Sequence, residues 1–156
     1  MSEMARIADL LEHAVEGKPY YGPSLMDALT LVTPVLAASR PNTKVHSVWE
    51  LVAHLTAELR YARAVIDGTA GPWVGGQTTW PATPEASEAA WREALDSLRQ
   101  ANRALVSSVR ALDDAILDRS PSRVQGPFYW MLHRTVLHTA YHAGQISLLS
   151  RQMSEP

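Results

Sequence analysis

Apolar residues recur along this chain in steps of three and four, the period of helices with one buried face. Over residues 3–16 the repeating positions are Met4, Ile7, Ala8, Leu11, Ala14 and Val15. Gly17 and the run Lys18-Pro19-Tyr20-Tyr21-Gly22-Pro23 cannot continue a helix. Ser24 can cap a short turn over 25–29, and Thr33-Pro34 predicts a second short helix over 34–39 that ends before Pro41. The clearest element follows. Ser47 and Glu50 have the spacing of a capping box, and Val48, Leu51, Val52, Leu55, Leu59, Ala62 and Ile66 form the seam of a bundle helix that Gly68 ends.

Residues 68–83 break the pattern. This loop carries Trp73 and Trp80, and a link of such length is often functional. The helix before it is roughly 30 Å long, whereas 16 extended residues span about 50 Å. The flanking helices can therefore run parallel, joined by a crossover. Thr83-Pro84-Glu85 predicts the next start, with Trp91, Ala94, Leu95, Leu98, Leu105, Val109 and Leu112 carrying the helix to about Leu112 or Ile116. Ser120-Pro121 breaks it. Gly126-Pro127 opens a last helix that runs to about Gln152. Four long helical segments without a strand pattern predict an all-α four-helix bundle, one domain over 1–156.

Composition narrows the partners. At 46% apolar and 19% charged the chain is globular. A net charge of -2 gives no basic footprint for nucleic acid. No apolar run approaches the ~20 residues needed to cross a bilayer. Residues Met1 to Arg6 lack a basic stretch followed by an apolar one, so the expected location is the cytoplasm. There is no cysteine, so any metal takes nitrogen or oxygen ligands.

Candidate chemistry lies in the histidines. His138 and His142 stand one turn apart on the last helix, where two imidazoles can share a metal ion. Such a pair alone is a weak signal, and the alternative is two partly buried, hydrogen-bonded imidazoles. His54 lies roughly 110° from the centre of its helix's apolar seam. It is either a boundary side chain or a third ligand from a neighbouring helix. Glu58, one turn on, lies nearer the seam. His133 falls on a different side of the last helix, with Trp130, Leu137, Ala140, Gly144 and Leu148, and reads as packing, interface or surface. His46 and His13 read as surface. Apolar residues on two sides of one helix predict two contacts, the core and a second subunit, hence a homodimer.

His46-Ser-Val-Trp49-Glu-Leu-Val-Ala-His54-Leu, followed much later by His138-Thr-Ala-Tyr141-His142-Ala-Gly144-Gln145-Ile, resembles the DinB/YfiT-like superfamily. These are bacterial four-helix-bundle proteins, many of them regarded as metal-dependent enzymes. The resemblance implies an up-down-down-up bundle with a crossover between the second and third long helices. It implies a metal held by His54, His138 and His142, and a dimer is common among such proteins. Some relatives are transferases or isomerases that use a low-molecular-weight thiol.

Three neutral imidazoles suit Zn²⁺, Ni²⁺, Co²⁺ or Fe²⁺ and leave at least one position for water or substrate. The expected function is a metal-dependent transferase or hydrolase acting on a small molecule, with a thiol as candidate cosubstrate. The alternative is a non-catalytic metal-binding or stress-associated bundle acting through a dimer or partner interface. Glu58 is a candidate base or hydrogen-bond partner of a ligand histidine. Gln145 and either Trp80 or Trp73 are candidate pocket walls.

Overall fold

The computed structural model describes residues 1–72 and 79–154, and every regular element among them is helical. The helices are α1 (Glu3–Glu16), α2 (Leu25–Ala28), α3 (Pro34–Ala38), α4 (Val48–Ile66), α5 (Glu88–Arg110) and α6 (Phe128–Ser154). A single 3-10 turn, Asp114–Ile116, follows α5. The expected stops and starts recur with their physical causes. Ser47 accepts from the Glu50 backbone while the Glu50 carboxylate accepts from the Ser47 N–H, so both halves of the capping box form. Thr33 caps α3 with Pro34 in its first turn. Gly68 follows α4 at φ 71°, a left-handed conformation that favours glycine and turns the chain out of the helix.

The start of α5 differs from expectation. Thr83-Pro84 does not cap it; Ser87 does, accepting from the Ala90 N–H. Residues 81–84 instead line a groove with Trp49, Val52 and Ala53 of α4. Packing there holds the proline segment off the helix, and the next available cap takes over. The last turn also ends early, at Arg110, before the 3-10 turn. Asp114 from that turn accepts the Glu3 and Met4 N–H groups at 2.9 and 2.8 Å. A carboxylate at the first turn of α1 satisfies free donors and faces the positive end of the helix dipole.

The long helices pack in a ring: α4 on α5, α5 on α1, α1 on α6 and α6 on α4. Met4, Ile7 and Leu11 of α1, Leu55 and Leu59 of α4, Leu98 and Leu105 of α5, and Leu132 and Ile146 of α6 fill the centre, each essentially solvent-free. At one end Trp49 meets Trp91, with ring centroids 5.0 Å apart. The Trp91 indole N–H donates to the Val32 carbonyl, tying the α2–α3 segment to α5. At the other end Ser108 donates to Asp67. Arg103 and Arg110 of α5 reach Glu16 and Asp9 of α1, and Tyr61 of α4 donates to the Arg123 carbonyl just before α6.

The helix α6 has the two apolar sides its sequence suggests. Met131, Leu132, Ala143 and Ile146 face the core. Trp130, Leu137, Tyr141 and Leu148 are exposed, at 71%, 70%, 62% and 54%. Among the described residues no helix is long and apolar enough to cross a membrane.

Candidate metal centre

Helix α4 brings His54 against α6, where His138 and His142 stand one turn apart. His54 and His142 are buried and His138 is half-buried. The His138 Nε2 lies 2.9 Å from that of His142 and 3.3 Å from that of His54. One ring nitrogen from each falls within 4.8 Å of the others. Thr56, Thr135 and Thr139 each donate to the carbonyl one turn back, so their hydroxyls are satisfied within the helix.

The outer nitrogens decide what the inner ones can do. His54 Nδ1 meets the Thr79 carbonyl, which only accepts, so Nδ1 carries the proton and Nε2 keeps its lone pair. His142 Nδ1 meets the Gln145 side-chain oxygen at 2.6 Å. The Gln145 amide nitrogen donates to the Tyr141 hydroxyl at 3.0 Å, which fixes the amide's orientation and makes that oxygen the acceptor. Both imidazoles therefore present Nε2 as a free electron pair to the same point. Burial, aided by the neighbouring His142 and His54, pulls the His138 pKa from 6.5 to about 4. Burial also lowers His142, against the raising effect of its bond to Gln145. Neutral imidazoles are the form that ligates.

This donor set fits a divalent ion. Nitrogens bound at ~2.0–2.1 Å lie about 3.3 Å apart on a tetrahedral ion and about 2.9 Å apart at adjacent octahedral positions. The two separations from His138, 2.9 and 3.3 Å, fall within the range these two geometries span. Second bonds to a carbonyl and an amide oxygen are the usual support for ligating histidines.

Around the cluster, Trp80 is sandwiched between His54 and His46, with centroids 4.1 and 3.7 Å away and both rings within 9° of parallel. Trp80, Gln145, Tyr141 and His46 line a cavity of about 760 Å³ that opens onto all three histidines. The expected pocket walls Trp80 and Gln145 thus sit at the site, while Trp73 lies outside the described residues. Glu58 is half-buried beside His54 and Arg134; burial raises its carboxyl pKa, against the pull of both. It does not line the cavity, and the Nδ1 of His54 is taken by Thr79. His133 bonds the Tyr129 carbonyl on another side of α6, and His13 is exposed.

A family model described as the DinB superfamily matches residues 24–146, most of the chain. The chain belongs to the DinB superfamily. No curated protein and no solved structure matches it. The match runs through both segments of the DinB-superfamily chain that carry the three histidines. Sequence reasoning missed His46 and Tyr141 as cavity residues. Tyr141 had a signal, standing four residues before Gln145 and between the histidine pair. His46 had none, because its stacking on Trp80 is a contact between residues far apart in sequence that no spacing rule sets.

Proposed function

We propose that this DinB-superfamily chain is a metal-dependent enzyme, a transferase or hydrolase acting on a small molecule, with a thiol as candidate cosubstrate. His54, His138 and His142 hold one Zn²⁺, Ni²⁺, Co²⁺ or Fe²⁺ ion through their Nε2 atoms. The observation that carries the reading is the convergence of three Nε2 atoms at the wall of a cavity, with Nδ1 of His54 and of His142 each bonded to an oxygen acceptor. Bound there, the ion supplies Lewis acidity: it lowers the pKa of a water or thiol, or polarises a carbonyl. The chain's own residues do the rest. Thr79 and Gln145 hold His54 and His142 in one tautomer and orientation. Trp80, stacked on the His54 ring, covers one side of the cluster, and the lower water access there strengthens polar interactions.

The contacts between helices support an up-down-down-up arrangement. Start meets start and end meets end between α4 and α5, as with Trp49–Trp91 and Ser108–Asp67. Start meets end between α1 and α5, and between α4 and α6. The exposed stripe of Trp130, Leu137, Tyr141 and Leu148 supports a homodimer through α6, with residues spaced by seven, four and seven on one face.

Elemental analysis of purified protein tests the site. One divalent ion per chain is expected, sharply reduced in His142→Ala and retained in His133→Ala. Equal loss in both variants sinks the assignment. Light scattering on the same samples should give twice 17.2 kDa; a 17.2 kDa species alone removes the dimer.

A further inference from the structure

We infer that the cavity beside the three histidines takes an elongated, largely apolar molecule as a carboxylate, whose anionic end meets Lys44. The inference rests on the metal reading above for which end of the ligand reaches the histidines, and on the cavity's own shape and charge for the rest.

The shape comes from α6. The lining runs from His138 to Gln152 on one helix, which at 1.5 Å per residue is roughly 21 Å. Its histidines lie at one end. Opposite them α4 runs the other way, since His54 faces His138 while Tyr61 reaches back to Arg123. The segment before α4 therefore lies over the C-terminal part of α6, and Pro41, Asn42, Lys44 and Val45 form the wall there with Leu149 and Gln152. Between the two ends the surface is mostly apolar or aromatic, with Leu51, Trp80 and Leu148, and the polar Gln145 amide there is engaged by His142 and Tyr141. At about 760 Å³ the cavity suits a small organic ligand rather than a peptide.

The charge comes from what lines it. Among the described residues no lining side chain is a carboxylate, and the fixed charge on the wall is Lys44. The acid nearest in sequence, Glu50, is engaged by the Arg40 guanidinium and faces His46. Lys44 makes no ion pair among the described residues. Its backbone N–H donates to the Asn42 side chain at 2.9 Å, which fixes the turn that carries it. A lone ammonium offers one positive charge, which balances a carboxylate, whereas a phosphate monoester carries about −1.5 to −2 at neutral pH. One carboxylate is the anion it matches.

Co²⁺-loaded protein provides the test, with cobalt content measured first. Mercaptooctanoate and mercaptooctanol share a thiol head and differ in the tail. Each titration is followed by its sulfur-to-cobalt charge-transfer band. The acid should bind about fivefold tighter, the scale expected for one partly solvated charge pair. Lys44→Ala should erase the preference, Lys44→Glu should make the alcohol the better ligand, and Lys18→Ala should change nothing. Cobalt content should be the same throughout. Equal affinities in the wild-type protein, or a preference for the acid that survives Lys44→Glu, overturn the inference. If cobalt does not bind, or no sulfur band forms, the metal reading fails instead. Calorimetry with octanoate and octanol on the same variants then decides the anion site alone, by the same two outcomes.

Discussion

Between α1 and α5 the buried side chains are Met4, Ile7, Leu11, Leu98 and Leu105, and the rim is crossed by ion pairs. Between α4 and α6 the helices bury His54, Thr135, Thr139 and His142, and a cavity opens beside them. Both pairs use the same helical period. The first spends its inner face on burial of apolar area, about 25 cal/mol per Å². The second gives part of that face to imidazoles whose burial disfavours their charged form. The difference teaches where stability and chemistry reside in this bundle. Aliphatic packing on the α1–α5 side can carry a more polar α4–α6 side. The division has an exception in Asn102 of α5, which is buried with neither amide atom bonded among the described residues.

The largest expected effect that sharpens the contrast is on stability alone. Leu11 is 1% exposed in the core cluster, so Leu11→Ala should lower the unfolding free energy by about 2–5 kcal/mol through lost burial and a residual cavity. Metal bound per folded chain should stay at the wild-type value. Urea unfolding and elemental analysis on the same preparation check both halves. Metal loss from protein that is still folded would show that the two sides are not separable.

Next in size is a pH effect confined to the histidine side, in metal-free protein. The folded-state pKa of His138 is depressed to about 4 from 6.5, and that of His142 is also lowered. As pH falls below 6.5 the unfolded chain binds protons that the folded chain refuses. Stability is therefore full above that pH, declines between about 6.5 and 4, and stops changing from this cause below. His138→Gln should lose less stability than the wild-type protein between pH 7 and pH 5. Carboxylates titrate in both proteins, so the difference between their urea midpoints isolates the histidine. Parallel midpoint curves would mean that the buried imidazoles are not held neutral.

How much of this was legible beforehand follows from which interactions are local. Ser47 with Glu50, Thr33 with Pro34, and Gly68 mark helix ends through atoms a few residues apart, and the chain itself displays them. The pairing of His138 with His142 is also local, set by one helical turn. The proximity of His54 depends on a helix eighty residues away, and it became readable only beside the family resemblance. Thr79, Trp80 and His46 were harder still. They meet through a loop with no period, so no spacing rule announces that a backbone carbonyl from that loop bonds His54. The start of α5 failed for the same reason: Thr83-Pro84 is a sound local cap, overruled by packing against α4.

The smallest effect is expected where the drawing of the molecule looks most convincing. Arg103 donates twice to Glu16, both bonds at 2.9 Å, and this pairing raises its pKa. Yet its side chain is 71% exposed against 20% for Glu16. Water already solvates the guanidinium, dissolved salt screens the attraction, and the long side chain gives up rotamer freedom to hold one geometry. Glu16 also keeps a second cation, Arg99 at 3.7 Å, when Arg103 is removed. Arg103→Ala should therefore move the urea midpoint far less than Leu11→Ala, and the remaining shift should shrink as salt is raised toward about 1 M, where the Debye length falls to about 3 Å. A shift that rivals the leucine variant and survives that salt would reverse the comparison. The α1–α5 side would then be held by its charged rim, and its apolar face would be the lesser term.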